Sequence, residues 1–150
     1  MGNLLTDVEI RRVSNAVAAA STGTTKAAIV DMDGFDEVTF VLLLGTVTNT
    51  AKVTFQIAQD DVNSTAGMTV TDATSGEIVS DGTTIALSNK AIALSINKPK
   101  ERYLEAQVVK STANVVIDGI IAILSKARTR PTDNGSTVYY DKLFASPANA

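Results

Sequence analysis

Lys52-Val53-Thr54-Phe55-Gln56-Ile57-Ala58 alternates without a break, with Val53, Phe55 and Ile57 on one side and Lys52, Thr54 and Gln56 on the other. Successive side chains of a strand point to opposite faces, so a period of two marks a strand buried on one face. Upstream, Val38 to Leu44 is apolar on both faces, as expected of a central strand covered on both sides. Gly45 to Thr50 lies between them and reads as the loop of an antiparallel hairpin.

Working outward, Lys26 to Asp31 reads as a short strand ended by Asp33-Gly34, and Gln59 to Gly67 as a polar loop. Short strands are expected at Met68 to Thr71 and Glu77 to Val79, with a turn at Asp81-Gly82. Ile85-Ala-Leu-Ser88 recurs as Ile92-Ala-Leu-Ser95 across Asn89-Lys90, which suggests a further hairpin. Two longer strands follow. Arg102 to Lys110 places Leu104, Ala106 and Val108 on one face, and Val115 to Leu124 is apolar on both, with Pro131 beyond it. A helix competes for Asn114 to Ala127, but the Val and Ile content favours β structure. The expectation is an all-β chain: one β-sandwich of jelly-roll or Greek-key type over residues 26–131. Residues 1–25, with the run Ala16 to Thr25, and the polar, Pro-dotted residues 132–150 are expected as N- and C-terminal arms.

Composition narrows the function. The chain has 150 residues, which fits one domain, and contains neither cysteine nor histidine. Thiol nucleophiles, Cys/His zinc sites and Ser-His-Asp catalysis are therefore excluded together. A net charge of −3 argues against a nucleic-acid partner, which needs a basic stripe. No apolar run reaches the ~18 residues that cross a bilayer, and Met1 to Arg12 lacks the pattern of a signal peptide. The expectation is a soluble intracellular product that engages no membrane. With no Trp, four Phe and three Tyr, a sugar-binding role lacks the usual aromatic platforms.

Few clusters suggest chemistry. Asp31-Met-Asp33-Gly34 followed by Asp36-Glu37 looks like half a calcium loop, but Phe35 breaks the alternation of oxygen ligands, so a solvated turn is the expectation. Asp60-Asp61 are adjacent carboxylates in a loop, without the contrasting environments that acid–base work needs. No catalytic, cofactor-binding or metal-ligating residue is assigned. Lys98, Lys100, Arg102, Lys110, Lys126, Arg128 and Arg130 are seven of the thirteen basic residues. They could form a basic edge for an acidic protein surface, or merely solvate strand ends.

Three stretches form a familiar set: Met32-Asp-Gly-Phe-Asp-Glu-Val-Thr-Phe40 running to Leu44-Gly45, Lys98-Pro99-Lys-Glu-Arg-Tyr103, and Thr112 to Leu124 ending in Ala127-Arg128-Thr-Arg-Pro131. With Ser146-Pro147-Ala148 they resemble the head decoration, or cement, proteins of tailed bacteriophages, over about residues 28 to 150. The resemblance implies a jelly-roll-like sandwich that docks on the major capsid protein outside the head and stabilises it. It also implies a protein without catalytic residues or cofactors, made in the host cytoplasm and resident in the virion; because a shell offers many local three-fold junctions, a homo-oligomer is expected, trimer favoured over dimer. The rival readings are another virion component (tail-tube, head-completion or fibre-base) and a carbohydrate-binding module.

Overall fold

A computed structural model describes residues 4–129, 132 and 134–141. A one-turn helix α1 (Leu4–Asp7) precedes ten strands: β1 (Glu9–Ser14), β2 (Val17–Ala20), β3 (Gly23–Lys26), β4 (Val30–Asp31), β5 (Phe35–Val47), β6 (Lys52–Asp60), β7 (Thr69–Val79), β8 (Ala91–Asn97), β9 (Tyr103–Ser111) and β10 (Val115–Ala127). A short 3-10 turn follows at Gly135–Thr137. The strands form two antiparallel sheets packed as a β-sandwich. Sheet I has the order β1-β10-β5-β8, with β2 also on β10; sheet II has the order β3-β9-β6-β7, with β4 also on β9.

The alternation at Val53, Phe55 and Ile57 is borne out, since all three are fully buried along β6. The hairpin expected between β5 and β6 does not form: β5 pairs with β10 and β8, while β6 pairs with β7 and β9. The link Thr48–Ala51 crosses from one sheet to the other instead, with Thr50 at a φ of 74°. The reason is geometric. A hairpin would turn both apolar stripes the same way, whereas an arch sets them face to face. Phe40, Leu42 and Leu44 then share one core with Val53, Phe55 and Ile57. Full burial of side chains of this size contributes about 1.5–3 kcal/mol each.

β5 and β10 are not covered on both faces. Val38, Phe40, Leu42 and Leu44 are buried, whereas Val41 is half-buried and Leu43 is 37% exposed. Their doubly apolar look has a second cause. The register shifts on either side of the Ile117–Leu44 pair place extra residues at Gly45–Thr46 and at Asp118. Each bulge reverses the side-chain phase, so Ile117 and Ile120 both enter the core although they are three apart. Gly45 sits where a Cβ would lie 2.9 Å from Val116 Cγ1 and 2.7 Å from Asp118 Oδ1, so the bulge needs its missing side chain.

The N-terminal stretch expected as an arm does not hang free where it is described. β1 and β2 form the edge of sheet I on β10, and β3 forms the edge of sheet II on β9. Val8 and Val13 are buried, and Ala28 N donates to Val13 O across the gap between the two edges. Small Ala, Ser and Thr side chains carry little hydrophobic signal, so pairing holds this stretch more than burial does. The C-terminal stretch, in its described part, lies along β1. Thr132 N donates to Thr6 O at 2.9 Å, and Asn134 Oδ1 accepts from Ile10 N at 2.6 Å. Thr137 Oγ1 accepts from Arg12 N at 3.3 Å.

Three smaller expectations also change. The single strand expected at Lys26 to Asp31 is the end of β3 and the two-residue β4, with Ala27 to Ile29 outside either strand. The strands expected at 68–71 and 77–79 are one strand, β7, with extra residues where it pairs with β6. Of the repeated Ile-Ala-Leu-Ser copies only the second is a strand. The first turns back on itself through Asp81 N to Ile85 O, buries Leu87, and ties Ser88 Oγ to Val47 N at 2.9 Å.

Candidate functional site

Two surfaces collect the side chains that could engage a partner. The first is the end of the sandwich where the β4–β5 turn, the β8–β9 loop and the end of β10 meet. Five of the basic residues singled out in the sequence arrive here, in two different roles. Arg102 grips Asp31 through two hydrogen bonds of 2.8 Å, reaches Asp33 at 3.6 Å, and lies 5.2 Å from the ring centroid of Tyr103. Arg128 meets Asp36 at 3.4 Å, and Lys126 meets Glu37 at 2.6 Å and Asn97 Oδ1 at 3.2 Å. Lys98 and Lys100 are exposed and make no ion pair among the described residues. Lys110 lies elsewhere, 5% exposed within β9, and Arg130 is outside the described residues.

These pairs engage the carboxylates of the calcium-like pattern. Asp31 and Asp33 both face Arg102, Asp36 faces Arg128 and Glu37 faces Lys126, so the four carboxylates do not turn toward one centre. The hydrogen bond from Arg102 holds the Asp31 carboxyl below its ordinary pKa; partial burial opposes this and the Asp33 N–H reinforces it. Arg102 is correspondingly shifted upward, first by the same hydrogen bond. Asp60 Oδ1 accepts from Val62 N at 3.3 Å and so closes a turn, and Asp61 is exposed. At the opposite end, Asp81 also lies below its ordinary pKa, because its carboxylate accepts from the N–H groups of Thr83 and Ile85, each at 2.8 Å.

Pro99 and its flanking lysines divide this end into two grooves. One, of about 380 Å³, runs between Met32–Asp36 and Lys98–Arg102. The other, of about 350 Å³, opens between β7 and β8, with Asp72, Ala73, Ile96, Lys98 and Lys100 on its walls. The net result is a surface of matched ion pairs on which two ammonium groups have no carboxylate partner among the described residues.

The second surface is the outer face of sheet I, which sequence reasoning missed by treating β5 and β10 as covered on both sides. Register places Ile10, Ile123 and Thr39 in one row across the sheet, and Arg12, Ile121 and Val41 in the next. Leu43 stands beside them, and a groove of about 350 Å³ lies among Ile10, Leu43, Ile121 and Val138, with Arg12 and Asp118 at its rim. Tyr139 and Tyr140 follow immediately, 103% and 70% exposed. The signal in the sequence was the interruption of β10 by Asp118-Gly119, residues that a strand covered on both sides would not tolerate. No protein-family model matches the chain, and no curated protein matches it in sequence.

Proposed function

We propose that this chain is a structural virion protein, a decoration or cement protein that binds the outside of a tailed-phage head at local symmetry junctions and stabilises it. The observation that carries the reading is the apolar outer face of sheet I. An antiparallel sheet facing water alternates apolar inside with polar outside. Here Ile10, Val41, Leu43, Ile121 and Ile123 crowd the outside, and contiguous apolar patches mark interaction surfaces. The strand order supports the reading. The N-terminal edges pair with the last two strands, and β5 and β6 pair with β8 and β7. We read that nesting as the wrapping of a jelly roll, an architecture frequent in viral capsids.

In this reading the role is binding rather than catalysis and needs no cofactor, nucleic acid or membrane. The partner is the major capsid protein, the location is the outer head surface after synthesis in the host bacterium, and the working unit is a homotrimer. A protein that binds assembled heads but not separated subunits stabilises the shell by mass action, about 2.7 kcal/mol per site at a hundred times Kd. The test mixes purified protein with undecorated, expanded heads. Saturable co-sedimentation and a raised head melting temperature are expected, both abolished by Leu43→Lys with Ile121→Lys in a protein that keeps its β spectrum. Failure of the wild-type protein to bind or stabilise heads would defeat the reading. Self-assembly into rings or tubes in electron micrographs would point to a tail component instead. The exposed Tyr139–Tyr140 pair favours one second reading, a carbohydrate-binding module, which a glycan array would reveal.

A further inference from the structure

The edges of this sandwich are not protected alike. On sheet I the β1 edge is broken by a register shift between Arg12 and Ser14, and is covered by Asn134 and Thr137. On sheet II, β3 and β4 are only four and two residues long, and β7 is kinked by two register shifts against β6. These are the usual defences of an edge strand. β8 has none of them. It runs seven residues in unbroken register on β5, from Glu37↔Asn97 to Leu43↔Ala91, and carries no charge and no proline.

Its backbone polarity follows from the register. Leu44 N donates to Lys90 O, and Lys98 N donates to Asp36 O, so the even-numbered residues turn their polar groups toward β5. Ala91, Ala93, Ser95 and Asn97 therefore direct N–H and C=O outward, a ready-made half ladder. The side chains repeat the message. Ile92, Leu94 and Ile96 are only partly buried against the core, and so are Ala73 and Ile78 of β7 on the same open side. An added strand would supply both the hydrogen bonds and the missing cover.

We propose that the β8 edge is a strand-addition site for an extended segment of another protein, apolar at alternate positions and carrying carboxylates at both ends. The charge follows from Lys90 and Lys98, which flank β8 and make no ion pair among the described residues. Lys100 adds a third cation on the wall of the β7–β8 groove, which Asp72 also lines. A second copy is disfavoured by the same residues. In the antiparallel two-fold register that pairs the outward-facing groups, Lys90 of each copy falls opposite Lys98 of the other. The inference is independent of the virion reading, because it rests on this edge alone.

Two acetylated, amidated nonapeptides test it, Asp-Thr-Val-Thr-Val-Thr-Val-Thr-Asp and the same peptide with Lys at both ends. Nine residues match the span from Lys90 to Lys98, and the valines would face Ile92, Leu94 and Ile96. With the acidic peptide, amide exchange at Ala93 and Ser95 should slow saturably, and the Lys-ended peptide should bind roughly tenfold more weakly. Ala93→Pro removes an outward N–H without touching the β5 ladder, and should abolish binding while leaving the melting curve unchanged. The pair Lys90→Glu with Lys98→Glu should reverse the preference between the peptides, which keeps the test decisive if the proline variant misfolds. Equal affinity for both peptides overturns the proposal. So does unchanged exchange at millimolar acidic peptide, or protection of these amides by a dimer of the protein alone.

Discussion

Arg102 shows how a single residue can settle what a sequence motif leaves open. Its two 2.8 Å bonds to Asp31 turn a would-be ligand into half of an ion pair, and lower the pKa of that carboxyl. A carboxyl with a folded pKa below its unfolded value of about 3.9 stabilises the fold above that value; the contribution is lost as pH falls through the folded pKa. Arg102→Gln returns Asp31 toward its ordinary range. Melting temperatures of the variant and the wild type should therefore differ from neutrality down to about pH 4 and converge below it. Half-exposed pairs contribute little, so the gap should be small. A gap that persists unchanged at pH 2 would assign Arg102 a packing role instead. The sequence made Lys98, Lys100, Arg102, Lys126 and Arg128 visible as a basic group, and they do gather at one end. It could not show which were already neutralised, because their partners at Asp31 to Glu37 lie about seventy to ninety positions away along the chain.

At the scale of elements, β6 and β9 were legible because apolar side chains alternate along each toward the core: Val53, Phe55 and Ile57 on one, Leu104, Ala106 and Val108 on the other. β1 to β3 were not. Arg11, Arg12, Ser14 and the Ala-Ser-Thr run give no clean period, and these strands exist because β9 and β10 offer them an edge. Deleting residues 1–20 should consequently lower the melting temperature and expose the flank of β10, rather than trim an idle tail. The described part of the C-terminal stretch has a matching role. Asn134 is 3% exposed and spans from Ile10 N to Asp141 Oδ2. Asn134→Ala should cost about 1–2 kcal/mol and speed amide exchange at Ile10 selectively; unchanged exchange there would show that β1 holds its edge without the clasp. The crossing between β5 and β6 was hidden for a different reason. A short polar link joins either a hairpin or an arch, and only the placement of β8 and β10 on either side of β5 decides between them.

For the whole molecule, the two proposals use different sides of sheet I: an apolar face suited to a broad contact, and an open β8 edge suited to a single strand. Light scattering should give the mass of a trimer if protomers use the face on one another, and addition of the acidic nonapeptide should leave that mass unchanged. The nested order of the strands also governs how the chain comes into being. β1 waits for β10, and β3 waits for β9, so the first strands synthesised pair with the last. Only β6 and β7 are sequence neighbours within one sheet beyond the edge pieces, and they can close as soon as they emerge. Elongation at about 5–20 residues per second leaves sheet I incomplete for several seconds, until β10 leaves the ribosome. Non-local pairing of this kind places refolding in the millisecond-to-second range, slower than a helical chain of equal size. A chain stalled before Val115 would present β5 with its whole β10 flank bare. Premature termination should thus yield aggregates or protease substrates and never a smaller working protein.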